Sequence, residues 1–320
     1  MQPPHRLFFY HRLAKDLFRP TKLTIGPWTD EAQHGGPPSS LLAHVLREHA
    51  AESESGNHHA FHLAKLGVTL YRPIPTRAAP AHRVTVNAIH ATRGTRHLQA
   101  TLSDAESGKV FARAEGLLIR RAVGAADAVL EAVEEVGRRA DRERETVLAS
   151  FPARGDVGEM VVKPGGTGDG LESFLHVMQC RIVDGRGFFG VGKAAYENAR
   201  GPIVWYVKPS KEVAGLFVDE RDGSEKRFDL VDRAIAFGDA SSGASGVLPW
   251  AKYIYSNIDY TINFYREPDS ALLNEKDEWV GFSSRTRVNP QGTGVAVSQL
   301  FDRDGIFATT TQNLVVRSLK

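Results

Sequence analysis

Cysteine is almost missing from this chain. Cys180 stands alone among 320 residues, which excludes an internal disulfide and fits a reducing compartment. Net charge is almost missing too. Forty Lys and Arg face 38 Asp and Glu, leaving +2, without the basic surplus that marks a nucleic-acid binder. No apolar run reaches the length of a bilayer-crossing helix. The opening "MQPPHRLFFYHRLAKD" holds only a short apolar run, the pattern of neither a signal peptide nor an anchor. We therefore expect a cytoplasmic protein with no membrane and no nucleic acid as partner.

Catalytic signatures are missing as well. "FGDASSGASG" offers serines and glycines, but not in the G-x-S-x-G order of a nucleophile elbow. There is no Walker loop and no H-E-x-x-H, and "KPGGTGDG" lacks dinucleotide-binding spacing. Eleven of twelve histidines precede residue 98. His58, His59 and His62 have metal-ligand chemistry, but "ESESGNHHAFH" reads as a solvated loop with no fixed acidic or thiol partner. No metal is expected.

What is present is an ordinary globular composition, 42% hydrophobic and 24% charged, in a chain long enough for one large or two medium cores. Its two ends resemble each other. Tyr71-Arg72 matches Tyr265-Arg266, Leu102 matches Leu300, and Asp104 matches Asp302. Gly108 matches Gly305, and Phe111-Ala112 matches Phe307-Ala308. Shared order and spacing point to a diverged duplication of one unit.

Each unit closes in alternating strands. "HRVTVNAIH", "HLQATLSD" and "VFARAEGLLIR" serve the first; "WVGFSSRTRV", "GVAVSQLFD" and "IFATTTQNLVVR" serve the second. One helix precedes each set. In the first it spans Pro37–Glu48, with Leu41, Leu42, Val45 and Leu46 inward; in the second, Leu230, Ala234 and Phe237 share a face. A helix ahead of an antiparallel meander predicts an α+β fold in which the sheet wraps the helix. "AADAVLEAVEEVGRRADRERETVLAS" reads as an amphipathic connecting helix. The expected boundaries are 1–122, a linker over 123–170, and 171–320.

Polar residues gather in the second unit. Alternation puts Gln312 on the face of Ala308, Thr310, Leu314 and Val316, an amide among apolar neighbours where the first unit has Gly116. Asp239, near the end of the second helix, is either a turn former or a proton acceptor for a water that Gln312 orients. Asn257 stands near a strand start, with Ser256 beside it on the opposite face. In the first unit, "HGGPPSS" opens the helix. Gly35 and Gly36 let a substrate approach bare N–H groups, or they let a helix pack tightly.

Together "HGGPPSSLLAHVL", "VTLYRPIP", "DLVDRAIAFGD", "NIDYTINFYR" and "IFATTTQNLVVR" resemble the TesB-type acyl-CoA thioesterases of the thioesterase-like superfamily. That resemblance implies a double hotdog, two antiparallel sheets each wrapped around a central helix. It also implies hydrolysis of acyl-CoA to a free acid and CoA, a role in fatty acid metabolism, and no cofactor. An Asp, a Ser or Thr, and a Gln would hold the attacking water. The Asp and Gln fall on Asp239 and Gln312, and the Ser/Thr position is Asn257 here, an amide without hydroxyl chemistry. By the same resemblance Gly35 and Gly36 would face the thioester oxygen, with His34 shaping the loop and Ser256 close by. Hotdog sheets pair edge to edge, so a homo-oligomer is compatible with this reading. Two rivals stand beside it. One is a non-catalytic acyl-CoA or lipid binder. The other is a hydratase of the same fold, which needs a paired Asp and His near a helix start. The second unit lacks such a pair, His176 being the only histidine beyond residue 97.

Overall fold

The computed structural model describes residues 7–52, 54, 57, 60–76, 81–121, 174–182, 201–210, 213–249, 252–268, 279–302 and 305–319. The expected connecting helix and the "KPGGTGDG" loop lie outside them. In the first half, β1 (Leu7–Ala14) and β2 (Leu17–Pro20) precede α1 (Gly36–Glu52). After it come β3 (Phe61–Leu70), β4 (His82–Ala91), β5 (Thr95–Asp104) and β6 (Val110–Arg120). The second half opens with β7 (Met178–Ile182), β8 (Ile203–Pro209), β9 (Val213–Asp219) and β10 (Glu225–Arg227). Two helices follow, α2 (Leu230–Gly238) and the short α3 (Ser241–Ala244). The chain then forms β11 (Tyr253–Asn257), β12 (Asp259–Phe264), β13 (Val280–Val288), β14 (Thr293–Asp302) and β15 (Gly305–Ser318).

The duplication is visible in the hydrogen bonds. The path β1-β2-β4-β5-β6-β3 in one half repeats as β7-β8-β13-β14-β15-β12 in the other. Tyr71 N–H donates to Phe111 O at 2.9 Å, and Tyr265 N–H donates to Phe307 O at 2.8 Å. Leu102 stands opposite Ala112 and Leu300 opposite Ala308, each with a register shift immediately after.

The halves do not keep separate sheets. β3 and β12 pair antiparallel, Leu66 opposite Ile262 and Val68 opposite Tyr260, so that one 15-stranded sheet runs through both. β9 also lies parallel to β1, extending the far edge of the first half with a strand from the second. The expected two antiparallel sheets are thus joined, with one parallel pair. The reason is that each half ends in an edge whose N–H and C=O groups need partners, and strand pattern alone does not say which edge supplies them.

α1 and α2 pack against each other inside the sheet. Pro37 and Pro38 start α1 at no cost, because a first-turn residue needs no N–H. Gly36 permits the contact: a Cβ there would lie 1.9 Å from the Ala236 carbonyl oxygen. Every residue of α2 is buried, beyond the single expected face, because α1 covers the side the sheet leaves open. Asp229 and Asp232 close the start of α2 in a reciprocal capping box. Leu41, Leu42 and Leu46 of α1 are fully buried, each stabilising the fold by about 1.5–3 kcal/mol. Among the described residues no helix is long and apolar enough to cross a membrane.

Candidate active site

The N-terminus of α1 in the first half meets the C-terminus of α2 in the second. The loop before α1 is clamped. Gln33 N–H donates to Ile74 O at 2.8 Å and His34 N–H to Thr24 O at 2.7 Å. The Gln33 side chain accepts from Tyr10 Oη at 2.7 Å and donates to Pro75 O at 3.0 Å. This holds His34 and Gly35 against Asp239, the residue that ends α2. A Cβ on Gly35 would lie 2.7 Å from Asp239 Oδ2, so glycine is what lets the carboxylate come this close.

Asp239 is 2% exposed. Its Oδ1 accepts from Asn257 Nδ2 at 2.7 Å, and its Oδ2 lies 3.1 Å from His34 Nδ1. Asn257 also accepts from Ser242 Oγ at 3.1 Å. Burial holds the His34 imidazole below its usual value, and the charge of Asp239 opposes that shift. The His34 ring stacks on Phe174, centroids 4.2 Å apart.

Gln312 is fully buried on the face that alternation assigns it, and its amide is spent on backbone. Nε2 donates to Asp239 O at 2.8 Å and Gly238 O at 3.3 Å, while Oε1 accepts from Ser242 N–H at 3.1 Å. These are groups left without helical partners where α2 gives way to α3. Nε2 also reaches Asp239 Oδ1 at 3.5 Å. Gln312 therefore fixes the backbone that carries Asp239.

Beside the cluster is a cavity of about 470 Å³. His34, Gly35, Asp239, Ser242, Ser256 and Asn257 lie on its wall; Gln312 and Gly36 do not. The two glycines thus differ. Among the described residues the Gly35 N–H meets no acceptor. The Gly36 N–H lies 3.1 Å from His34 Nδ1, and Gly36 itself is buried in the helix contact. Ser256 is exposed, and its neighbour Asn257 is half-buried. Trp28, Tyr71 and Ile258 give the cavity an apolar side. Arg72 and Arg317 stand exposed on its wall with no ion-pair partner among the described residues.

Sequence reasoning missed two features. It finds no Asp–His pair because it seeks one inside the second half; the pair forms between halves, His34 from one and Asp239 from the other. It also passes over Ser242, whose N–H and Oγ tie Gln312 to Asn257. The three-residue offset from Asp239, one helical turn, was the only available signal. His62 lies 3.2 Å from Glu267 Oε1, away from this cavity. His58 and His59 fall outside the described residues.

Residues 24–119 match the acyl-CoA thioesterase N-terminal domain family, and residues 156–316 match the acyl-CoA thioesterase C-terminal domain family. Solved structures share the fold at low identity. A conserved protein of unknown function with hot dog fold from Alicyclobacillus acidocaldarius is 12% identical with a TM-score of 0.59, over 95% of this chain and 94% of its own. The tesB protein of Mycobacterium avium subs paratuberculosis is 11% identical with a TM-score of 0.53, over 96% of each chain. Acyl-CoA thioesterase II TesB2 of Mycobacterium marinum is 11% identical with a TM-score of 0.50, over 97% of this chain and 95% of its own. At such identities the likeness establishes the hotdog fold alone. A comparison with curated proteins finds no match.

Proposed function

The chain belongs to the acyl-CoA thioesterase family whose N- and C-terminal domains it matches, and from that premise we propose that it hydrolyses an acyl-CoA thioester to a free acid and CoA. The carrying observation is the buried Asp239 carboxylate on the cavity wall, held by Asn257 and in contact with His34 beside the open start of α1. A water at this cluster attacks the thioester carbonyl while Asp239 supplies the negative charge that draws off its proton. Asn257 holds that carboxylate directly, and Gln312 holds the backbone behind it. Charge developing on the thioester oxygen is met by the Gly35 N–H and the positive end of α1. Gly36 contributes to that end through the helix rather than through an exposed N–H.

Arg72 and Arg317 suit the phosphates of CoA, and the apolar wall suits the acyl portion. Water and protein groups suffice for this reaction, so it needs no metal or organic cofactor. We place the two units at 1–122 and 171–320, acting in the cytoplasm in fatty acid metabolism, with open sheet edges available for homo-oligomerisation.

Two other outcomes are distinguishable. The His34–Asp239 contact favours a second reading, hydration of an enoyl thioester by an acid–base pair. The fully engaged amide of Asn257, standing where the resemblance expects a hydroxyl, favours binding without turnover. The test is a panel of acyl- and enoyl-CoA esters assayed for released thiol and for loss of enoyl absorbance. Thiol release that falls tenfold or more in Asp239→Ala supports hydrolysis. Absorbance loss without thiol supports hydration, and stoichiometric binding with neither supports the binder.

A further inference from the structure

The His34 ring sits where the open start of α1 meets the cavity. Phe174 stacks on one face, and 12% of the side chain is exposed. Nδ1 turns back to the helix and accepts from the Gly36 N–H at 3.1 Å. Asp239 Oδ2 lies 3.1 Å from the same nitrogen, a contact without a hydrogen bond. Nε2 is on the other side of the ring. It has no partner among the described residues, the atom is not sealed, and the residue lines the cavity.

We infer that His34 Nε2–H donates a hydrogen bond to the thioester oxygen, so that this ring and the Gly35 N–H together meet the charge that develops there. This rests on the thioesterase reading and deepens it. Asp239 remains the base, and His34 is the group that polarises the carbonyl.

The helix decides which ring nitrogen carries the proton. The first N–H groups of a helix have no carbonyl in their own helix to meet, and that of Gly36 finds the ring nitrogen instead. A nitrogen that accepts carries no proton, so in the neutral ring the proton is on Nε2. Burial outweighs the pull of Asp239 and keeps the ring neutral, and the positive end of α1 acts in the same direction. Asp239 is the ionisable group in contact with the ring; Arg72 and Arg317 share the cavity wall. A neutral imidazole held at a helix N-terminus is a known way to polarise a substrate carbonyl.

The other donors of the cluster are spent. Asn257 Nδ2 donates to Asp239, Ser242 N–H to Gln312 and Ser242 Oγ to Asn257. The Gly35 N–H and His34 Nε2–H are not, and they come from consecutive residues on the cavity wall. Two fixed donors aimed at one oxygen are what a developing oxyanion requires. The step balances without a co-reactant. An O–H bond of water breaks, its proton passes to the Asp239 carboxylate, and the oxygen bonds to the thioester carbon. The carbonyl π pair moves onto the oxygen that Nε2–H and Gly35 N–H hold. On collapse that pair returns, the C–S bond breaks, and the proton on Asp239 goes to the departing sulfur. His34 keeps its own proton throughout.

The test reads the ring directly and then through turnover. NMR of the full chain carrying isotope-labelled histidine, with His34→Gln to assign the signal, should show Nε2 protonated and Nδ1 bare at neutral pH. A proton on Nδ1, or a charged ring, overturns the inference. Thiol release from hexanoyl- and benzoyl-CoA is then followed across pH in His34→Ala, which removes the donor, and His34→Gln, which keeps an N–H of similar reach. The expected loss in His34→Ala is about 100- to 1,000-fold in kcat, with KM little changed and part of the loss recovered in His34→Gln. The acid limb of the pH profile persists in both variants, because His34 takes no proton. Wild-type kcat in folded His34→Ala, or disappearance of the acid limb in His34→Gln, overturns the role of His34 and leaves hydrolysis standing. No thiol release from the wild-type protein overturns both.

Discussion

The two central helices begin in opposite ways, although the halves that carry them repeat one strand order. α1 opens with His34, Gly35, Gly36 and two prolines, has no acidic residue in its first turn, and points into a cavity. α2 opens on Asp229 and Asp232, which cap it reciprocally and pair with Arg47 and Lys226. A helix N-terminus attracts negative charge wherever it is. In α2 the protein supplies that charge itself. In α1 it is left for something else. The sheets differ in step: Gln312 of β15 corresponds to Gly116 of β6, where a Cβ would already press on Leu46 at 3.0 Å. The first half has the open helix start and an apolar crossing at Gly116; the second has the closed, capped helix start and the polar crossing at Gln312.

Gln312→Gly copies the first half's residue into the second and breaks the comparison most directly. It strips the buried Ser242 N–H of its side-chain acceptor, a cost of about 1–3 kcal/mol for that unsatisfied group, and leaves the Asp239 carbonyl with Asn257 Nδ2 as its donor. Thiol release should fall at least tenfold, together with a lower Tm. Unchanged turnover would remove Gln312 from the site.

Gly36→Ala tests the difference between adjacent glycines. Its Cβ would meet the Ala236 backbone oxygen at 1.9 Å, so α1 and α2 must separate, at roughly 1–3 kcal/mol. A melting curve reads that loss. A stability equal to wild type would mean that the helices do not cross here.

Asp232→Asn sharpens the other end of the comparison, with a smaller effect. Burial first, and then the Asp229 charge, raises Asp232 to about 6, while Arg47 and Lys226 hold Asp229 well below the carboxylate range. An unfolded Asp loses its proton near pH ~4, so between there and about 6 the folded chain binds a proton the unfolded chain lacks. Stability from this group therefore falls as pH rises through that window. The Tm of the variant should climb relative to wild type over the same window and level off above it. A constant difference would place the ionisation of Asp232 at its ordinary value.

Much of the sheet was legible because alternation is a local property. On β15, Ala308, Thr310, Gln312 and Leu314 are buried while Thr311 and Asn313 are exposed, as period-two geometry requires. The repeated turns and the Tyr-Arg pairs located the second copy for the same reason. The start of α1 was legible from its glycines and prolines, but the division of labour between Gly35 and Gly36 was not. One abuts a carboxylate and the other a helix carbonyl, both from the second half. The joining of β3 to β12 was equally out of reach, since either strand alone reads as a strand with a partner unspecified.

By itself the sequence determined which residues face inward, where each copy begins its helix, and that Gln312 must find polar company. Those follow from bonds and side-chain directions set by near neighbours along the chain. Only the tertiary structure decided that His34 and Asp239 meet, that β9 crosses to the first half's edge, and that one helix start stays open. Each of these depends on how two copies dock, a choice made by packing and backbone pairing between segments far apart in the chain.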